Sequence, residues 1–206
     1  MLNFEAIRKA PVAREPFPHF LVTNVLDTPT LRNVRDDFPD ITSSGVYPLE
    51  ELKFGGNFSR LIDDIRSQEL QDIIAKKLDV PLEGRPLMIT VRGHCAKRDG
   101  RIHTDSEDKV VTCLLYLNDE SWAGETGRLR LLRSGTDLDD MIAEVPPNGG
   151  TLVVFKRTDN SWHGHHPYVG PRRYVMFNWV TSNATLAKNI GRHTISARLK
   201  RLNPFS

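Results

Sequence analysis

The sequence predicts a mainly β protein with helices confined to its N-terminal part, its strands closing into a barrel or a double sheet. Three observations carry this. From Leu87 onward apolar residues come in short runs rather than at helical spacing. Turn chemistry separates those runs, at Asp99-Gly100, Asn118-Asp119, Ser134-Gly135 and Pro146-Pro147-Asn148-Gly149-Gly150. Ahead of them, apolar residues recur at the spacing of one helix face. Short strands behind leading helices are the pattern of a closed or two-sheet β domain.

Taken in order, residues 1–16 are mixed and read as a leader laid over the surface. Residues 17–22, Phe-Pro-His-Phe-Leu-Val, form the first strand, with its prolines kept near the entry. His19 in this run reads as a buried, hydrogen-bonded histidine rather than a ligand. Thr28 then caps a helix with Pro29 at its first position. Leu31, Val34 and Phe38 follow at helical spacing, and Pro39 stops it. Residues 41–60 carry Gly45, Pro48, Gly55 and Gly56 and read as loop, with Lys53 and Arg60 as solvated charges. A second helix starts at the Ser67 cap and runs to about Leu78. Its buried stripe is Leu70, Ile73, Ile74 and Leu78, while Asp72 and Lys76 pair on the exposed side. Glu69 early and Lys76-Lys77 late suit the helix dipole, and this helix is expected to cover one face of a sheet.

Expected strands are residues 87–92, 110–117, 129–132, 151–155 and 173–180, with one helical turn over 137–143. Residues 183–206 form a basic tail, with Lys188, Arg192, Arg198, Lys200 and Arg201, expected to be a partly ordered terminus. The domain plan is therefore a single unit: N-terminal support over about 17–80, a β core over about 87–181, and the tail.

Bulk numbers exclude several classes. A chain of 206 residues, 39% hydrophobic and 26% charged, is an ordinary globular domain. A net charge of +2 gives no strong steering toward nucleic acid, which is not expected as a partner. Cys95 and Cys113 are too few for a disulfide scaffold and have no zinc spacing, which suits a reducing compartment. The start lacks a basic region followed by an apolar run, and no apolar stretch reaches the roughly 20 residues that span a bilayer. A soluble, cytoplasmic protein is expected.

Chemistry accumulates between His103 and Val180. In His103-Thr104-Asp105 an imidazole and a carboxylate leave an extended backbone on one face. With a further imidazole, such as His163, two histidines and one carboxylate can hold a metal facially and leave positions open, as in non-haem Fe(II) oxygenases. Residues 109–118, Lys-Val-Val-Thr-Cys-Leu-Leu-Tyr-Leu-Asn, leave this loop as a strand. Thr112, Leu114 and Tyr116 share one of its faces, and Val111, Cys113 and Leu115 the other. Residues 150–155, Gly-Thr-Leu-Val-Val-Phe, precede Ser161-Trp162-His163-Gly164. Arg172-Arg173-Tyr174 then opens the last strand.

Together these residues resemble the Fe(II)/2-oxoglutarate-dependent dioxygenases of the prolyl 4-hydroxylase type. The family pattern is His-x-Asp, a strand ending near Tyr-Leu-Asn, a Gly-to-Phe strand, a distal His and a basic residue about ten positions on. The resemblance covers roughly residues 87–181. It implies a double-stranded β-helix, or jelly roll, with the metal at its mouth. It further implies that His103, Asp105 and His163 bind Fe(II), that Arg173 pairs with the distal carboxylate of 2-oxoglutarate, and that Tyr116 donates its hydroxyl to the same group. A guanidinium fork suits a carboxylate because it makes two parallel charge-assisted hydrogen bonds. The implied reaction consumes dioxygen, hydroxylates a small-molecule or peptidyl substrate and releases succinate and carbon dioxide, with ascorbate as an accessory reductant.

Arg173 is preferred to Arg172 because it lies in phase with Val175, Phe177 and Trp179, an apolar series fit to line a barrel interior. His165 and His166 are expected at the rim or behind the ligands. The chain departs from the family at Gly124-Glu125-Thr126-Gly127-Arg128-Leu129, where Gly-Gly is common. It also has no tyrosine over 89–94, where hypoxia-type members carry one; Arg92 and His94 are the candidates for its place. Two rival readings are a cupin-like hydrolase or isomerase using zinc or manganese, and a jelly-roll binding module with a vestigial metal site.

Overall fold

The computed structural model describes residues 1–191. The elements in order are α1 (Phe4–Lys9), β1 (His19–Val22), α2 (Thr28–Asp36), β2 (Tyr47–Pro48) with a 3-10 turn over Leu49–Glu51, α3 (Gly56–Ile65) and α4 (Gln68–Leu78). Then come β3 (Leu87–Cys95), β4 (Lys109–Tyr116), β5 (Leu129–Leu132), β6 (Met141–Val145), β7 (Leu152–Lys156), β8 (His163–Gly164) and β9 (Gly170–Val180). Residues 183–191 are helical, capped by the Ser182 hydroxyl that accepts from the Thr185 amide. The remainder of the basic tail lies outside the described residues. Among the described residues no helix is long and apolar enough to cross a membrane.

The strands form two antiparallel sheets, one of six in the order β1-β7-β4-β9-β3-β2 and one of three in the order β6-β5-β8. Strand alternation divides the apolar residues into two cores. Val111, Cys113 and Leu115 of β4, with Val175, Phe177 and Trp179 of β9, pack under the helices together with Leu61, Ile65, Leu70 and Ile74. Leu114 and Tyr116 of β4, with Val153, Phe155 and Tyr174, face Leu129 and Leu131 of β5 and Val145 of β6 between the sheets. This second space, shared by two sheet faces, opens into the site.

The sequence is legible in α4, whose Ser67 hydroxyl accepts from the Leu70 amide and whose Leu70, Ile73, Ile74 and Leu78 are buried as expected. In α2 the cap is Asp27, not Thr28: its carboxylate accepts from the Thr30 amide 2.8 Å away, moving the start back by one residue. Three expectations are corrected. The leader contains α1, capped by Asn3 and anchored by the fully buried Ile7. The loop expected over 41–60 contains β2 and the first half of α3, whose N-terminus is satisfied at a distance: Asp37 accepts from the Asn57 amide at 2.6 Å. Gly55 is needed there because a Cβ would sit 2.2 Å from an Asp37 carboxylate oxygen. The turn expected over 137–143 instead leads into β6, held by pairing with β5.

Candidate metal centre and the cavity around it

His103 and His163 lie far apart in sequence but face each other across a backbone bridge, each amide donating to the other's carbonyl at 3.0 Å. Asp105 follows on the same loop, just before β4. One ligand atom from each of His103, Asp105 and His163 lies within 4.8 Å of the others, so the three side chains converge as expected. His103 is exposed, while Asp105 and His163 are buried.

The orientation of these groups is held by their neighbours. His103 Nδ1 is 2.8 Å from the Arg101 carbonyl, and His163 Nδ1 is 2.9 Å from the Ser161 carbonyl. A carbonyl only accepts, so each Nδ1 carries the proton and each Nε2 is left with a free lone pair. Asp105 Oδ1 accepts from Lys109 Nζ at 2.6 Å, and Oδ2 accepts from the Thr112 hydroxyl at 2.5 Å. Thr112 Oγ1 in turn accepts from Asn178 Nδ2 at 3.0 Å.

Burial alone would raise the Asp105 pKa. The Lys109 and His163 charges and the two hydrogen bonds outweigh it and hold the carboxyl well below the usual range. Burial pulls His163 down to about 4, against the opposing pull of Asp105. At neutral pH His163 is therefore a neutral imidazole and Asp105 a carboxylate, the protonation states that a divalent cation requires of them.

Above these residues is a cavity of about 190 Å³. Thr112 and Leu114 of β4, Tyr174 and Met176 of β9, Arg92 of β3 and Leu129 of β5 line it, with Lys109, His165 and Arg172. Arg172 is 2% exposed. Its Nε donates to the Gly127 carbonyl at 2.8 Å and its Nη2 to the Tyr116 hydroxyl at 2.9 Å. The guanidinium also lies over the Tyr116 and Tyr174 rings, at 5.2 and 5.3 Å. Burial raises the Tyr116 pKa to about 12, with the Arg172 charge pulling the other way, so the phenol remains protonated. Among the described residues no carboxylate lies within ion-pair distance of Arg172.

Arg173 does not reach this cavity, which corrects the expectation for β9. Its guanidinium lies over the Phe38 ring, 5.7 Å from the centroid, in clefts shared with Arg35 on the opposite side of the strand. The alternation expected for β9 holds, but the faces are exchanged. Its most apolar face, Val175-Phe177-Trp179, lies under the helices, where Trp179 Nε1 donates to Gln71 of α4 at 3.2 Å. Its mixed face, with Arg172, Tyr174 and Met176, turns toward the cavity.

Other expected positions are resolved by the same geometry. Tyr116 stands behind the cavity wall, bonded to Arg172, which lines it. His165 lines the cavity, and His166 meets Arg130 and Asp139 outside it. Arg92 lines the cavity paired to Asp99 at 2.5 Å, whereas His94 lies in the cleft with Arg173. His19 is buried with Nδ1 2.9 Å from the Phe17 carbonyl. No motif in the sequence points to Lys109 or Asn178, although Asn178 is the lone amide in the run after Tyr174 of β9.

A pH effect follows from the buried imidazoles. Burial brings His165 as well as His163 to about 4, with the Arg172 charge adding to the shift at His165. An imidazole whose folded pKa is depressed stabilises the fold fully above its unfolded value of about 6.5, and that contribution is lost as pH falls toward the folded value. The metal-free protein should lose on the order of 1–3 kcal/mol per imidazole as pH falls from about 6.5 to 4. Thermal melting across that range checks it; a Tm independent of pH would contradict the burial argument.

Residues 90–181 match the family described as the 2OG-Fe(II) oxygenase superfamily. Among solved structures, the fold is similar to a prolyl-4-hydroxylase from Pseudomonas putida, with a TM-score of 0.55 at 18% identity over 86% of this chain and 97% of that one. It is similar also to the viral collagen prolyl hydroxylase of Paramecium bursaria Chlorella virus-1, solved as a 2-oxoglutarate complex (TM-score 0.55, 13% identity, 79% of this chain and 96% of that one). A third is HygX from Streptomyces hygroscopicus, solved with nickel and 2-oxoglutarate bound (TM-score 0.53, 13% identity, 80% and 83%). No curated protein matches the sequence.

Proposed function

We propose, for a chain whose residues 90–181 match the family described as the 2OG-Fe(II) oxygenase superfamily, that it is an Fe(II)- and 2-oxoglutarate-dependent dioxygenase hydroxylating a substrate at the mouth of the cavity between its sheets, which would be the mouth of a double-stranded β-helix. His103, Asp105 and His163 would hold the iron, and the observation that carries the co-substrate is Arg172. A buried guanidinium with no carboxylate partner is costly unless something anionic completes it. It lies in the same cavity as the three ligands, with a protonated phenol beside it. A molecule with one end for a metal and a carboxylate at the other fits both.

Fe(II), together with 2-oxoglutarate and dioxygen, would supply the oxidising power to hydroxylate a C–H bond, with succinate and carbon dioxide as co-products. The rest is the work of the chain's own side chains. The Arg101 and Ser161 carbonyls fix the imidazole tautomers, Thr112 keeps Asp105 aimed, and Lys109 holds Asp105 ionised before the metal arrives. Arg172 and Tyr116 present three kinds of anchor to a carboxylate: charge, a planar N–H fork and an O–H donor. Leu114, Leu129 and Met176 supply apolar walls that limit water at the reacting end. The rival reading, a hydrolase or isomerase on the same ligands, supplies no anion for the Arg172 charge.

Purified protein supplied with Fe(II), ascorbate, 2-oxoglutarate and oxygen should form succinate slowly without added substrate, and none under nitrogen. Succinate formed equally under nitrogen would overturn the oxygenase reading.

A further inference from the structure

The formal charges on the cavity wall are Arg92, Asp99, Asp105, Lys109 and Arg172. Arg92 and Asp99 close on each other at 2.5 Å. Arg172 awaits the far carboxylate of the co-substrate. Lys109 has one ion-pair partner among the described residues, Asp105, at 2.6 Å. That partner is the carboxylate assigned to the metal, and its second oxygen is already held by Thr112. A divalent cation at the triad takes over the Asp105 charge and repels the ammonium bonded to the same group.

Lys109 then has little room to retreat into solvent. It is the first residue of β4 and its side chain is only 13% exposed. Both charges of 2-oxoglutarate are already matched, one end at the metal and the other at Arg172. The loaded cavity is left with one unmatched cation, on a flexible four-carbon stem with three donors. The neighbouring wall, Val46, Thr112, Leu114 and Met176, offers no anion.

We propose that Lys109 exchanges partners on loading: it pairs with Asp105 in the metal-free protein and with an anionic group, carboxylate or phosphate, of the substrate in the loaded one. The substrate class is thus an acid that presents its charged group at the start of β4. This rests on the dioxygenase reading above.

The test uses Mn(II), which takes the same kinds of ligand, as a paramagnetic probe. Protein loaded with Mn(II) and 2-oxoglutarate under nitrogen is titrated with inorganic phosphate and separately with acetate, following NMR relaxation of the phosphorus or the carboxylate carbon. At least one anion should show saturable relaxation in the native protein, with affinity about tenfold or more weaker in Lys109→Met and regained in Lys109→Arg. Phosphate alone would identify a phosphorylated substrate, and acetate alone a carboxylic acid. Metal and 2-oxoglutarate bound without saturable anion relaxation, or equal anion affinity in Lys109→Met, would overturn the proposal and leave the dioxygenase reading standing. A tenfold loss of 2-oxoglutarate affinity in Lys109→Met would assign Lys109 to the co-substrate and overturn it too. Failure of the native protein to take up Mn(II), read from an unchanged free-ion electron paramagnetic resonance signal, would sink both.

Discussion

Arg172→Ala should weaken 2-oxoglutarate binding by about 30- to 1,000-fold, the equivalent of roughly 2–4 kcal/mol for a desolvated charge pair. Arg173→Ala, one residue on, should leave it nearly unchanged. The contrast arises because adjacent strand residues face opposite sides. Arg172 is buried beside Tyr116 in the cavity with the three ligands, and Arg173 lies over Phe38 behind the sheet. Titration of 2-oxoglutarate into Mn(II)-loaded protein under nitrogen measures both. A defect confined to Arg173→Ala would mean that the faces of β9 are assigned the wrong way round. Because Arg172 Nε also holds the Gly127 carbonyl, melting curves for both variants accompany the binding data.

Asp105→Ala and His163→Ala should each lower metal affinity by more than about 100-fold, beyond the 10- to 100-fold typical of losing a supporting hydrogen bond behind a ligand. Asp105 is the only carboxylate of the trio, so its loss leaves two imidazoles for a divalent ion. Neither substitution opens a large apolar void, and both proteins should still fold. His165→Ala is the control: its Nδ1 is tied to the His166 carbonyl and it stands outside the converging trio, so uptake should persist. Calorimetric titration with Mn(II) decides; normal uptake by His163→Ala and loss in His165→Ala would move the third ligand two residues along.

What could be read from the sequence, and what could not, follows from the range of the interactions concerned. The strand alternation in β4 and the cap and stripe of α4 depend on local periodicity and are legible, whereas the convergence of His103, Asp105 and His163 is legible only through the family resemblance. The face of β9 is not, because its most apolar face reads as the barrel interior. In a sheet covered by helices on one side, the most apolar face goes under the helices, and the site is lined by the mixed one. A signal for this was present in the partner strand: Thr112, Leu114 and Tyr116 are just as mixed, and Leu114 and Tyr116 stand opposite Met176 and Tyr174 in the ladder. The start of α3 was hidden for another reason. Gly55-Gly56-Asn57 has no local capping box, and Asp37, twenty residues earlier, satisfies it instead. β6 depends likewise on its pairing with β5, which no short window of sequence contains.

The ligands do not all belong to one sheet. Asp105 hangs from the six-stranded sheet through Thr112 of β4, whereas His163 is the first residue of β8 in the three-stranded one. β8 is two residues long, and its His163 bridges to His103 across the gap. An ion seated among them would rivet the two sheets at their open edge, so that metal supply governs how firmly the molecule holds together as well as whether it can react. In that sense iron would act on this chain twice: a starved cell would hold a protein that is idle and also more easily pried open.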